Sequence, residues 1–101
     1  MSNKRIDVLS TSDASGGAQT AGPHAFTHGD EFPCSLGAKV TGTVDYTVQV
    51  SNDGSTWFNH DYMVNLTASS ISNITAAVAY VRLVQNSGTG SVDLTVVESR
   101  A

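Results

Sequence analysis

The sequence has few of the residues that form disulfide bonds or anchor a protein in a membrane. It contains one cysteine, Cys34, so no disulfide can form within the chain. We expect Cys34 to be a small buried apolar residue. No stretch approaches the ~18 apolar residues of a membrane span, and the first residues lack the apolar segment of a secretion signal. The sequence therefore predicts a protein made and kept in a cytoplasm, unless it leaves inside a particle.

Charge is also scarce. Charged residues make up 14% of the 101 residues, whereas ordinary soluble domains have about 25%. The net charge is −4 with five lysines and arginines, which argues against a nucleic-acid partner because phosphates need a basic face. Lys4 and Arg5 form the one basic pair. The pair either docks on an acidic neighbour or is simply solvated.

The clearest pattern is an alternating strand followed by a turn. Apolar and polar residues alternate from Val44 to Ser51, which puts the apolar side chains on one face of an extended strand. Asn52 to Ser55 then predicts a hairpin, because Gly54 tolerates the positive φ of a tight turn. A second hairpin is indicated at Asn86 to Gly90.

Several shorter segments continue the strand pattern. Ala76 to Gln85 is apolar on both faces and indicates a central strand, and Ser91 to Glu98 indicates the last strand. We predict an all-β protein, a single small jelly-roll-like β-sandwich of about seven or eight short antiparallel strands. Ser69 to Asn73 is expected to be a polar connection, and Ala68 to Ala79 has room for one short helical turn.

The first part of the chain has a different composition. Thr11 to Gly22 is rich in serine, glycine and alanine, which predicts a loop or a flexible arm. The expected organisation is an N-terminal strand and arm over residues 1–22 and the sandwich domain over residues 23–101. Such an arm would become ordered by lying on another protein.

No residue cluster has the spacing of a catalytic, cofactor or metal site. The densest group of metal-ligating side chains is His24, His28, Asp30, Glu31 and Cys34. Its spacing matches no established metal site, so ordinary loop chemistry is favoured. His60 and Asp61 lie near Ser51 and Ser55 in sequence but no nucleophile elbow accompanies them. We predict no enzymatic activity, no cofactor and no metal.

The aromatic residues are few and suggest an interface. Trp57 follows the first hairpin and is expected to close one end of the core. Phe58 would then point outward, and together with Tyr62 it would suit either a protein interface or stacking on a sugar ring. Arg82, on the expected central strand, is predicted to pair with a carboxylate on the following strand.

Three segments together resemble a known family. Tyr46 to Trp57 is a strand that ends in Ser-Asn-Asp-Gly-Ser-Thr-Trp, Tyr80 to Leu83 carries Tyr-x-Arg, and Ser87 to Val92 is a glycine-rich hairpin. Over roughly Val40 to Glu98, this pattern resembles small virion proteins of tailed bacteriophages. The resemblance implies a β-sandwich or jelly-roll accessory subunit of the head, neck or tail, such as a decoration or cement protein.

The resulting expectation is a non-enzymatic structural protein of a phage virion. It would bind and stabilise the capsid or neck, assemble as a homo-oligomer such as a trimer, and have no nucleic-acid or membrane partner. The expected interface residues are Lys4, Arg5, Phe58 and Tyr62. The alternative is a carbohydrate-binding adhesin module of a tail or fibre that uses Phe58 and Tyr62, because the Ser-Asn-Asp-Gly-x-x-Trp motif also occurs in carbohydrate-binding sandwiches.

Overall fold

A computed structural model describes residues 3–26, 34–75 and 78–100. Within these ranges the chain forms β-strands and no helix, and it has no helix long and apolar enough to cross a membrane. The strands are β1 (Asn3–Ser12), β2 (Gln19–Ala25), β3 (Cys34–Thr41), β4 (Asp45–Ser51), β5 (Phe58–Asn59), β6 (Ser70–Ile74), β7 (Tyr80–Ser87) and β8 (Ser91–Arg100).

The eight strands form two four-stranded sheets. The first sheet has the order β1, β8, β3, β6 and the second has the order β2, β7, β4, β5. All strand pairs are antiparallel. This order is that of an eight-stranded jelly roll, in which both sheets combine strands from the two halves of the chain. The prediction of an all-β sandwich is confirmed.

The last strand organises the first sheet. β8 pairs with β1 along its whole length, from Ser91 to Arg100, and with β3 from Ser91 to Glu98. Every second residue of β8 faces the other sheet and is buried, starting with Val92 and ending with Glu98. The hydrophobic core lies between the sheets and is built from Leu9, Cys34, Leu36, Ala38, Val44, Tyr46, Val48, Met63, Ile74, Val81, Leu83, Val92, Leu94 and Val96. Cys34 is buried, as predicted.

The turn after β4 is held by side chains of its own sequence. β5 pairs with β4, which confirms the first hairpin. The Asp53 carboxylate accepts the N–H groups of Thr56 and Ser55, each at 2.8 Å, and the Ser51 hydroxyl at 3.1 Å. These bonds lower the pKa of Asp53 below its ordinary value of 3.8. The stabilisation they give is therefore complete above that value and is lost as the pH falls through the lowered pKa.

The first part of the chain belongs to the sheets. Residues 11–22, where the composition indicated a loop or arm, contain the end of β1 and the start of β2. The expected boundary between residues 22 and 23 falls inside β2, so the sandwich includes strands from both sides of it. Backbone hydrogen bonds to β8 and β7 order these segments, although their small side chains bury little surface.

One expectation for the middle of the chain is wrong, and another finds no support in the described residues. The expected polar connection at Ser69 to Asn73 is largely strand β6, which pairs with β3 between Ser70 and Ile74. The described part of residues 68–79 contains no helical turn. A backbone ladder tolerates polar side chains where one face of an edge strand meets water, and the sequence pattern alone could not show that.

The second hairpin is confirmed and its glycines are packed closely. The side-chain amide of buried Gln85 donates to the carbonyls of Gly88 and Gly90 at 3.2 and 3.0 Å. A Cβ atom added to Gly90 would lie 2.3 Å from the carbonyl oxygen of Thr41. The hairpin therefore reaches its position only with glycine at residue 90.

Gly90→Ala is expected to lower the free energy of unfolding by about 1–3 kcal/mol, because the backbone of Thr41 has to move away from the new methyl group. Urea unfolding followed by circular dichroism measures the change. Gly16→Ala is the matched control, since nothing lies within 4 Å of its added Cβ. Equal stability of the two variants would contradict the close packing.

Candidate functional site

The outer surface of the first sheet carries an apolar patch. Ile6 and Val8 on β1 are 62% and 52% exposed, and Ile71 on β6 is 76% exposed. Between them on β8 lie Val97 and Thr95, both half-buried. Single exposed apolar side chains are common, but a contiguous group of them on a sheet surface indicates a contact with another molecule. We call the patch formed by Ile6, Val8, Gly37, Ile71, Thr95 and Val97 the apolar face.

The strand register arranges the apolar face in rows across the sheet. The middle row runs Val8, Thr95, Gly37, Ile71. Nothing lies within 4 Å of the position that a Gly37 Cβ would occupy, so the row has a hollow between Thr95 and Ile71. The row on one side runs Ile6, Val97, Ser35, Asn73 and also contains no charge.

Charges appear in the row on the other side, which runs Ser10, Asp93, Lys39. The Ser10 hydroxyl donates to the Asp93 carboxylate at 2.7 Å. Within the described part of the chain, the Lys39 ammonium has no ion-pair partner, although it is registered beside Asp93. The apolar face is therefore bordered by one acid and one base on its two central strands.

The outer surface of the second sheet is polar instead. The Arg82 Nε donates to the Gln49 side-chain oxygen at 2.8 Å, and its guanidinium stacks on the Trp57 ring at 4.2 Å from the centroid. The Asn86 amide donates to Asp45 at 2.9 Å. These polar groups form hydrogen bonds and a cation–π contact with one another. They cover this surface with contacts within the chain, whereas the apolar face has its large side chains in solvent.

These contacts correct two predictions. Trp57 does not close the core: it is half-buried on the outer surface of the second sheet under Arg82. Arg82 finds no carboxylate on β8 but pairs with Gln49 and Trp57. The reason is that Arg82 points outward on β7, while β8 belongs to the other sheet.

A cluster of His24 and two carboxyl groups links the two sheets at one end of the core. His24 on β2 is buried, and its Nδ1 lies 2.8 Å from the Asp7 carboxylate. Its Nε2 contacts the carboxylate of buried Glu98 on β8. The Phe26 ring packs edge-on against His24, with ring centroids 5.0 Å apart. The His24 ring thus bridges two carboxyl groups and ties β2 to the first sheet.

A small cleft opens beside β5 and β6. It has a volume of about 180 Å³ and its lining includes Tyr62, Asn59 and Asn73. His60 forms part of its wall, donating from Nε2 to the Asn73 carbonyl at 2.8 Å and accepting the Tyr62 N–H at 3.1 Å on Nδ1. Both ring nitrogens of His60 are therefore engaged within the protein.

The predicted interface residues do not come together. Lys4 and Arg5 lie on β1, an edge strand of the first sheet, in register with Ser99 and Glu98. Phe58 lies on β5 at the far edge of the second sheet and is 59% exposed, and Tyr62 follows it and is 79% exposed. That these four residues form an interface stays a prediction.

The candidate ligand sets looked for in the sequence are also located. His24 is held by Asp7 and Glu98, while His28, Asp30 and Glu31 lie outside the described residues. In the ranges that the structure covers, no cluster of three or more potential ligands is placed to hold a metal ion. The Ser51 hydroxyl is occupied by the turn, donating to Asp53.

Comparison with known proteins finds a likeness of fold. No protein-family model and no curated protein matches the chain. The chain is similar to a solved structure described as "Bacillus endospore appendages form a novel family of disulfide-linked pili", with 14% sequence identity and a TM-score of 0.62. The match covers 99% of this chain and 88% of that one. At this identity the likeness shows a shared β-sandwich fold.

His24→Ala is expected to lower the free energy of unfolding by about 3 kcal/mol, because it removes a contact of the buried Glu98 carboxyl group. Denaturant unfolding measures the loss. Glu98→Gln should cost less in the His24→Ala background than in the original chain, because the two side chains are in contact and their effects are not additive. If Glu98→Gln lowers the free energy of unfolding as much in the His24→Ala background as in the original chain, the two side chains are not coupled as described.

Proposed function

We propose that this protein is a non-enzymatic structural subunit that joins neighbouring subunits of a larger assembly through its apolar face. The observation that carries the proposal is the difference between the two outer surfaces. The second sheet covers its outer surface with mutually bonded polar side chains, whereas the first sheet leaves Ile6, Val8 and Ile71 in solvent. An exposed apolar patch of this kind marks a contact with another molecule.

The shape of the patch supports a protein partner. It is an open sheet surface, and its central position is a glycine with free space above it. Flat apolar surfaces with a hollow suit packing against another sheet or helix, about 10 Å away. Burying what is still exposed of the three aliphatic side chains would contribute roughly 1–2 kcal/mol each.

The finer form of the proposal is an accessory subunit of a tailed-phage virion that binds the capsid or neck. It is supported by the Ser51 to Trp57 motif and its resemblance to small virion proteins. The likeness to a pilus subunit supports the broader idea that this fold serves in repeated assemblies. The one cysteine of this chain, Cys34, is buried, so subunit contacts here would depend on surfaces and not on disulfides.

Ile71→Lys and Val8→Lys are each expected to weaken assembly by tenfold or more, because each places a lysine charge in the buried contact. Assembly here means either self-association of the chain or its binding to assembled virus particles. Light scattering coupled to size-exclusion chromatography and co-sedimentation with particles measure the two forms of assembly. The folded state should be unaffected because both side chains are exposed.

Phe58→Lys is the matched control. It replaces a similarly exposed apolar residue on the far edge of the second sheet, so it should leave assembly unchanged. A loss of assembly in Phe58→Lys and none in Ile71→Lys would move the interface to the residues predicted from the sequence. A wild-type chain that is monomeric and binds no particle would contradict the proposal.

A second candidate function is favoured by the cleft. Tyr62 offers an exposed ring beside a small cavity whose lining also includes Asn59, Asp61 and Asn73. An exposed aromatic ring beside several polar residues is an arrangement that suits sugar binding. The cavity has room for a single small sugar unit.

Glycan binding is tested by adding a panel of mono- and oligosaccharides to the labelled protein. Binding should shift the side-chain amide signals of Asn59 and Asn73 in NMR spectra, and Tyr62→Ala should abolish the shifts. Ile71→Lys should bind as the wild type does, because it lies outside the cleft. An unchanged spectrum with every sugar would exclude this function.

A further inference from the structure

We infer that the apolar face binds the same face of a second copy of this chain, around a two-fold axis that runs parallel to the strands between β8 and β3. The inference rests on the proposed function and specifies its partner. It depends on a complementarity in two rows of the face: in the charged row and in the middle row, the residues on β1 and β8 match those on β6 and β3.

The symmetry determines which residues meet. A half-turn about this axis lays β8 over β3 of the second copy and β1 over β6, because the sheet order is β1, β8, β3, β6. Each row of side chains then faces the same row of the partner. A two-fold contact of this kind is self-complementary, so every pairing occurs twice.

The charged row gives the first match. Asp93 on β8 lies over Lys39 on β3 of the second copy, and Lys39 lies over the second copy's Asp93. Two ion pairs, each between an aspartate and a lysine, form across the contact. Both residues are exposed in the single chain, and Lys39 has no ion-pair partner among the described residues. A like-charge pair at this position would weaken the contact, so the arrangement of signs favours this axis.

The middle row gives the second match. Thr95 on β8 lies over the hollow at Gly37 of the second copy, where no atom occupies the space above the backbone. Val8 on β1 lies over the exposed Ile71 of β6. A projecting side chain therefore meets a hollow and two exposed aliphatic side chains meet each other, as packing between sheets requires.

The other two-fold axis in the plane of the face gives a poor match. A half-turn about an axis across the strands, through the middle row, would lay each strand on itself. Asp93 would then face Val97 of the second copy, and Lys39 would face Ser35. Two charges would be buried against groups of no opposite charge, which is unfavourable. The axis parallel to the strands is therefore the one that this face supports.

The size of the face predicts a moderate affinity. Four strands about 4.8 Å apart and three rows of side chains about 6.7 Å apart give a contact of roughly 400 Å² on each copy. Stable specific interfaces bury about 800 Å² per partner. We therefore expect a dimer with a dissociation constant in the micromolar range or weaker, reinforced where many copies are held together.

The test is a charge exchange between two variants, measured by sedimentation equilibrium. In Lys39→Asp alone, both cross-contacts bring two carboxylates together, and in Asp93→Lys alone both bring two ammonium groups together. Each variant should dimerise about tenfold or more weakly than the wild type. In an equimolar mixture, each introduced aspartate faces an introduced lysine, so heterodimers should form within about threefold of the wild-type affinity.

The mixture also distinguishes a contact between two chains from an effect of Lys39 and Asp93 as neighbours within one chain. A variant carrying both substitutions would restore the pair in either case, but only a contact between chains is restored by mixing. Asp61→Lys mixed with Lys39→Asp is the control, because it has the same net charge as Asp93→Lys and lies outside the face. Thermal unfolding by circular dichroism verifies that each variant is folded.

A wild-type chain that stays monomeric up to millimolar concentration would overturn the inference, and so would single variants that dimerise as the wild type does. A mixture no tighter than its separate components would also overturn it. If in that last case Ile71→Lys still prevents assembly, the structural role stands and the pairing of the two faces is wrong.

Discussion

The register of β8 is the constraint on which the rest of the structure depends. β8 lies between β1 and β3 and pairs with both along nearly its whole length. Its odd and even residues separate the core from the apolar face: Leu94 and Val96 point inward, and Thr95 and Val97 point outward. A shift of one residue would exchange the two sets, so the core and the outer surface are determined together.

Glu98 holds this register at one end. It is buried at an inward position where an aliphatic side chain would be expected, and it contacts His24 of the other sheet. Asp7 reaches the same ring from β1. A slipped β8 would break the buried contact between Glu98 and His24, and the loss of a contact between buried polar groups is more costly than a loss of apolar contact. The cluster therefore specifies the alignment of β1, β2 and β8.

The sequence predicted the strands whose pattern is strong and local. The alternation of β4 and the glycine-rich turn between β7 and β8 are visible within a dozen residues, and the structure has both. The sequence pattern does not predict the bounds of β2 and β6, because small and polar side chains give no clear period. Their position comes from backbone pairing with β7 and β3, partners that are distant in the chain.

The apolar face could not be predicted for a related reason. It joins Ile6 and Val8 to Ile71 across four strands. Over residues 6 to 8 of β1, the apolar side chains lie on the outer surface and the acidic one faces the other sheet. Asp7 points inward to meet His24 while Ile6 and Val8 point outward. Alternation shows that two faces of a strand differ, but it does not show which one is buried.

The most direct test of the account is a dilution series of the methyl-labelled protein followed by NMR. If the apolar face is the contact surface, raising the concentration should shift or broaden the methyl signals of Val8, Ile71 and Thr95, while those of Thr47 and Val84 on the second sheet stay constant. Shifts confined to the second sheet, or spectra that do not change up to millimolar concentration, would contradict it.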